Sequence, residues 1–203
     1  QWILFHKTLF DSHPAKNPTY GSIESVKKFG REHVLNYYNS HYLPNNMVIS
    51  VVGNVKNAKG KINRHFGQLK PGKMIKRPAF HEPAQAKIKK FVEKRKTFNS
   101  YMMLGYKIVP RLHKDSYVFD VISAVLGRGQ SGWMFDEIRN KRGLAYQVGV
   151  NNEHESDYGV FAVYTNLDKK SIEKAKGIIL QQFKRLEGIS NEDFMNLQAE
   201  GII

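Results

Sequence analysis

Cysteine is missing from all 203 residues. Its absence excludes a disulfide framework, thiolate metal ligation and a cysteine nucleophile. Long apolar runs are missing too. A membrane-spanning helix needs about 18 or more uninterrupted apolar residues, whereas the densest stretch, Met47 to Gly53, is only strand-sized. Negative charge is scarce: 18 Asp and Glu stand against 32 Lys and Arg, for a net charge of +14 with histidine neutral. Glycine and proline, at 16 and 7, are too few for a fibrous repeat or a low-complexity tail. What is present is a globular composition, 41% hydrophobic and 12% aromatic. A chain of this length can bury about 70% of its unfolded surface.

Neither terminus carries a boundary signal. The chain opens Gln1-Trp2-Ile3-Leu4-Phe5, with no Met, no basic leader and no small-residue cleavage site. It closes on Glu200-Gly201-Ile202-Ile203 inside a helical pattern with no C-cap after it. The expectation is a piece of a longer protein, so that a missing motif weighs little. The compartment is left open, with the cytoplasm as the default.

Most of the positive charge lies in one segment. Lys56 to Lys96 holds fourteen basic residues against Glu82 and Glu93, which is +12 of the total +14. Such a segment attracts phosphate or acidic peptides. Its few aromatics (Phe66, Phe80, Phe91) and the lack of any nucleic-acid-binding motif favour a solvated linker and edge strand, whose lysines discourage foreign pairing.

Periodicity divides the chain further. Residues 1–20 read as a helix end and a loop, broken at His13-Pro14 and Asn17-Pro18. Ser22 is placed to cap a helix carrying Ile23, Val26 and Phe29, with Ser25 at N3. A second helix runs from about Glu32 to Tyr42 and stops at Pro44. Met47 to Val52 predicts a buried strand, and Lys56 to Leu69 a weaker helix. Pro71, Gly72, Pro78 and Pro83 mark residues 70–86 as the best boundary.

Beyond the boundary, Lys87–Glu93 and Phe98–Tyr106 predict two strands. Asp115 is placed to cap a helix with Val118, Val121, Ile122, Val125 and Leu126 on one face. Ser131 is placed to cap another helix through about Lys141, with Met134, Phe135 and Ile138 inward. Strands follow at Leu144–Val150 and Tyr158–Asn166, then a helix from Lys169 to Leu186, then a final helix capped by Ser190. Consecutive strands without strict strand–helix alternation make an α+β fold of antiparallel sheets, with helices packed on one face.

Chemically, the eight histidines form neither HExxH nor HxxEH. His33 and His41 share a helix face but are two turns apart, too far for one metal. Glu153-His154-Glu155 alternates sides and cannot converge on one ion. Gly127 to Gly132 lacks the Lys-Ser/Thr pair and preceding strand of a phosphate loop, and a tight helix–helix turn is enough to explain it. The remaining constellation is Arg139-Asn140-Lys141-Arg142-Gly143-Leu144-Ala145-Tyr146. A helix end, a glycine reversal and a strand start can bring the Arg139 guanidinium and the Tyr146 phenol to one lip of a sheet. Both are donors suited to a peptide carbonyl or a developing oxyanion. From spacing alone, a solvated Arg and a half-buried strand Tyr are the better account.

At these residues the chain resembles the M16 zinc metallopeptidases, the pitrilysin, insulysin and mitochondrial processing peptidase group. One match runs from Leu126-Gly127-Arg128-Gly129-Gln130 through Glu137-Ile138-Arg139-Asn140-Lys141 to Gly143-Leu144-Ala145-Tyr146. An earlier one comprises His13-Pro14, Gly21, Glu24-Ser25-Val26, Tyr37-Tyr38, Tyr42, Pro44-Asn45-Asn46-Met47 and Val51-Val52-Gly53-Asn54-Val55. The resemblance implies two similar half-domains of the M16/LuxS-like fold, closing over an extended peptide. It further implies HxxEH with a distal glutamate holding zinc in the first half, and an Arg and a Tyr seven residues apart contacting substrate from the second. Here that pair is Arg139 and Tyr146.

HxxEH and an evident distal Glu are absent, and by the family's order both belong upstream of Gln1. The implied organisation is 1–69 as the end of a first half-domain, 70–86 as linker and 87–203 as a truncated, zinc-free second half. The leading reading is part of a zinc endopeptidase, this portion supplying Arg139 and Tyr146 while zinc is held elsewhere in the parent. Alone, the chain is expected to bind no zinc and to hydrolyse nothing. Its implied partners are a peptide substrate, the upstream half-domain and a second subunit of the same or another kind, with no membrane. The second reading is a non-catalytic partner or core subunit. The third, least favoured, is a nucleic-acid-binding module on Lys56–Lys96.

Overall fold

A computed structural model describes residues 1–73, 75–76 and 78–199. The chain forms two compact units. One combines Gln1–Asn17 with the chain from Phe80 onward, and the other is Pro18–Ala79.

The first unit is built on a three-stranded antiparallel sheet ordered β1-β3-β2, with β1 at Ser100–Ile108, β2 at Ala145–His154 and β3 at Gly159–Leu167. β2 and β3 form a hairpin, and β1 pairs along the other side of β3, Ser100 opposite Leu167 and Ile108 opposite Gly159. Strand residues alternate faces, so β3 must satisfy two environments. Phe161, Val163 and Leu167 pack on helices α5 (Ser116–Gly127), α6 (Trp133–Phe135), α7 (Ile172–Glu187) and α8 (Asn191–Ala199), in a core with Leu126, Met134, Ile138 and Ile179. On the opposite face Val160 packs with Leu9 and Phe10, at the end of helix α1 (Trp2–Leu9). Burying one such side chain contributes about 1.5–3 kcal/mol.

Gly105 of β1 is required by this closeness. A Cβ there would lie 2.7 Å from the Phe5 ring and 2.3 Å from the Phe161 carbonyl oxygen.

The second unit holds α2 (Ile23–Lys27), α3 (Arg31–His41) and α4 (Ala58–Phe66). Ser22 caps α2 as expected, and the Ser25 hydroxyl, in place of the usual Glu, completes a reciprocal cap by accepting from the Ser22 N–H at 2.8 Å. Asn57 caps α4 from a left-handed backbone conformation, φ 55°. None of this unit's described residues is buried.

Two expected strands do not form. Met47–Val52 makes no strand, and Val48 and Val52 are 97% and 95% exposed. The residue types suit a buried strand, but a strand is stable only beside another that takes up its N–H and C=O groups. The second unit has no strand among its described residues. Lys87–Glu93 also stays irregular, because Ile88, Phe91 and Val92 do not alternate and Lys89 is drawn to Asp11, 2.6 Å away. Of the two strands expected within 87–106 only β1 forms, and it pairs at long range with β3.

Two expected caps also differ. The Asp115 side chain makes no capping hydrogen bond, and the cap position of α6 is taken by Gly132 rather than Ser131. The Ser131 hydroxyl turns back to donate to the Arg128 carbonyl at 3.1 Å. The cap at Ser190 holds: its hydroxyl accepts from the Asp193 N–H at 3.1 Å and donates to the Asp193 carboxylate at 2.6 Å.

Candidate functional site

Arg139 and Tyr146 are brought together by two local departures from regular geometry. The helix that begins at α6 widens into a π-helical turn over Asp136–Asn140, an irregularity common at functional positions. Its Ile138 is fully buried in the core, which anchors the turn and leaves the next residue, Arg139, half-buried at the rim. The backbone then reverses. The Gly143 N–H donates to the Arg139 carbonyl and the Leu144 N–H to the Ile138 carbonyl, both at 2.9 Å. Gly143 takes φ +58°, a conformation glycine adopts without a Cβ penalty.

β2 starts with a bulge. Ala145 opposes Leu167 and Gln147 opposes Asn166, so Tyr146 is the extra residue, freed from the ladder. The bulge leaves Tyr146 77% exposed.

The Arg139 guanidinium carbon lies 4.9 Å from the centroid of the Tyr146 ring and 4.9 Å from that of Phe135. Among the described residues no carboxylate or carbonyl accepts a hydrogen bond from that guanidinium. Its basic neighbours differ. Lys141 donates to Glu137 at 2.7 Å and pairs with Asp136 at 2.9 Å, and Arg142 also donates to the Glu137 carboxylate. Hydrogen bonds from Lys141 and then Arg142 hold the Glu137 carboxyl below the usual range, outweighing the effect of burial. Glu137 and Asp136 together thus balance two of the three nearby cations, Lys141 and Arg142, and leave Arg139 with donors to offer. A permanently charged, five-donor group beside a phenol can hold a carbonyl, a carboxylate or a developing oxyanion.

The other residues singled out in the sequence lie elsewhere. Gly127–Gly132 is a tight turn, with the Gly132 N–H donating to the Arg128 carbonyl at 3.0 Å and Gly129 at φ +52°. Within Glu153-His154-Glu155 the three side chains do not converge. Glu153 accepts from the Tyr158 hydroxyl at 2.8 Å, whereas the buried His154 ring meets the Val109 carbonyl at 2.7 Å. His33 and His41 bond to their own helix's backbone, at Gly30 and Tyr37. Catalytic zinc requires about three protein ligands around one ion. Among the described residues no group of three or more His, Asp or Glu is placed to hold a metal. Sequence reasoning missed Glu137 and placed Phe135 in the core with Met134 and Ile138, whereas its ring is partly exposed and lies against Arg139; Phe135–Arg139 and Glu137–Lys141 are both i, i+4 pairs.

With this geometry in view, comparison with known proteins is specific. The family model described as the peptidase M16 inactive domain matches residues 28–200. An uncharacterised zinc protease of Rickettsia felis is 28% identical over 201 residues, covering 97% of this chain and 48% of its own length. The uncharacterised zinc protease YmxG of Bacillus subtilis is 26% identical over 203 residues, again covering 97% and 48%. The crystal structure of a protease from Helicobacter pylori superposes with a TM-score of 0.85 at 26% identity, covering 99% of this chain and 51% of that one. The chain thus spans about half the length of the relatives it matches. It belongs to the peptidase M16 family, in the region described as its inactive domain.

Proposed function

We propose that this chain is part of a zinc-dependent endopeptidase, to which it contributes a substrate-binding Arg139–Tyr146 pair and not the zinc site. The observation that carries this reading is the pairing itself. An exposed tyrosine, freed by a bulge, lies beside an arginine whose donors are unspent while its neighbours' charges are neutralised. The names of its relatives, which are zinc proteases spanning about twice its length, agree with zinc residing elsewhere in the parent.

In this reading residues 1–69 are the end of a first half-domain, 70–86 the linker and 87–203 the second half. The large apolar side chains left exposed between Ile23 and Val55 favour a missing neighbour for that first portion. The neighbour is the upstream half-domain of the same protein, and a peptide is the substrate.

The test uses the intact protein. Arg139→Ala and Tyr146→Phe should each lower peptide turnover by about a hundred- to a thousandfold, the scale of losing one transition-state donor, with zinc content unchanged. Unchanged turnover in both variants would remove the assigned roles.

A further inference from the structure

A second aromatic ring against the Arg139 guanidinium, that of Phe135, has no role in the reading above. Helix α6 comprises three residues, of which Trp133 and Met134 are buried in the main core. Phe135 is not: its ring is partly exposed and belongs to neither core cluster. It is spent instead on the Arg139 guanidinium, 4.9 Å from the ring centroid, the same separation as on the Tyr146 side.

A large ring withheld from the core and placed over a cation is poor use of apolar surface unless the cation must be held. A half-exposed arginine has many rotamers, and restricting them lowers the entropic loss when it grips a ligand. Aromatic rings engage a guanidinium through its π-faces, and neither ring consumes an N–H donor.

We infer that Phe135 is a positioning residue for Arg139. It holds the guanidinium beside the Tyr146 phenol so that both donors meet the substrate carbonyl together. This inference rests on the substrate-binding role proposed for Arg139 and Tyr146. Glu137 acts in the same direction from the other side of the turn, by keeping Lys141 and Arg142 engaged.

The experiment is a double-mutant cycle in the intact peptidase, reading kcat and KM on an internally quenched peptide. A cation–π contact at a partly exposed site changes an equilibrium by about two- to fivefold. Phe135→Leu should therefore lower kcat/KM by about that factor, and Phe135→Tyr should restore it. In an Arg139→Ala background, Phe135→Leu should cost nothing further, an outcome that a purely structural role for the ring would not produce. If Phe135→Leu fails to fold, Phe135→Met replaces it, with similar volume and no ring. Multiplicative losses in the cycle, or wild-type activity of the Leu and Met variants while Arg139→Ala is slow, overturn the positioning role alone. Wild-type activity of Arg139→Ala overturns the binding role, and the positioning role with it.

Discussion

At the scale of single residues, the strongest electrostatic feature is remote from Arg139. The Glu82 side chain, only 12% exposed, pairs with Lys107 at 2.5 Å. It also accepts the backbone N–H groups of Asp11, Ser12 and His13 at 2.8, 2.9 and 2.7 Å. Burial opposes ionisation and is the largest single influence, but Lys107 and the three N–H groups together outweigh it. The carboxyl is held far below its ordinary 4.5. A carboxyl lowered in the native state adds stability that is complete above the unfolded value and is lost as pH falls through the native one. Glu82→Gln should cost about 2 kcal/mol at pH 7, the worth of hydrogen bonds to a charged group. The gap to wild type should then narrow as pH drops below 4.5. Urea unfolding across pH 2–7 checks this, and a gap independent of pH would remove the charge from the explanation. Glu82 was invisible as a clasp in the sequence because its backbone partners lie about 70 positions away and Lys107 lies 25 away on β1. Arg139 and Tyr146 were legible only through a family resemblance. Seven residues of spacing say nothing of a bulge.

At the scale of elements, local pattern succeeded where local forces decide. The helix expected at Lys169–Leu186 forms at Ile172–Glu187 behind a short 3₁₀ turn, because its apolar spacing and flanking turn are both contained in the segment. The helix at Glu32–Tyr42 forms at Arg31–His41 for the same reason. Met47–Val52 failed because its fate depends on a partner strand. The role of α1 could not be read either, since the sheet face it covers is assembled from residues more than ninety positions later. Phe10, 3% exposed between α1 and Tyr158, should be costly to truncate. Phe10→Ala is expected to lower stability by about 3–5 kcal/mol. Val26→Ala, on an exposed position of α2, should change it by no more than about 0.5 kcal/mol. Equal effects in thermal unfolding would contradict the docking of this end of α1.

At the scale of the whole molecule, the two units differ in kind. The sheet unit encloses a continuous core, whereas Pro18–Ala79 buries none of its described residues. Ile23, Phe29, Tyr37, Val48 and Val52 present apolar surface to water. Amides of residues 47–52 make no strand hydrogen bonds here, so in this chain alone they should exchange with solvent at close to unfolded rates. In the longer protein of the proposed organisation the same amides should slow by about a hundredfold or more, as an upstream sheet takes up their hydrogen bonds. Hydrogen exchange on both proteins is the measurement. Equal rates would reject that organisation.

The α+β class, the positions of most helices and the hairpin of β2 and β3 were determined by the sequence itself. Each follows from spacing, caps and turns within a few residues, where propensity and periodicity act. Tertiary structure alone decided the β1–β3 pairing, the clasp at Glu82, the failure of two apolar segments to become strands, and the packing of Phe135 against Arg139. These depend on which distant groups arrive to satisfy a backbone, a buried charge or a cation's face, and no local pattern encodes who arrives.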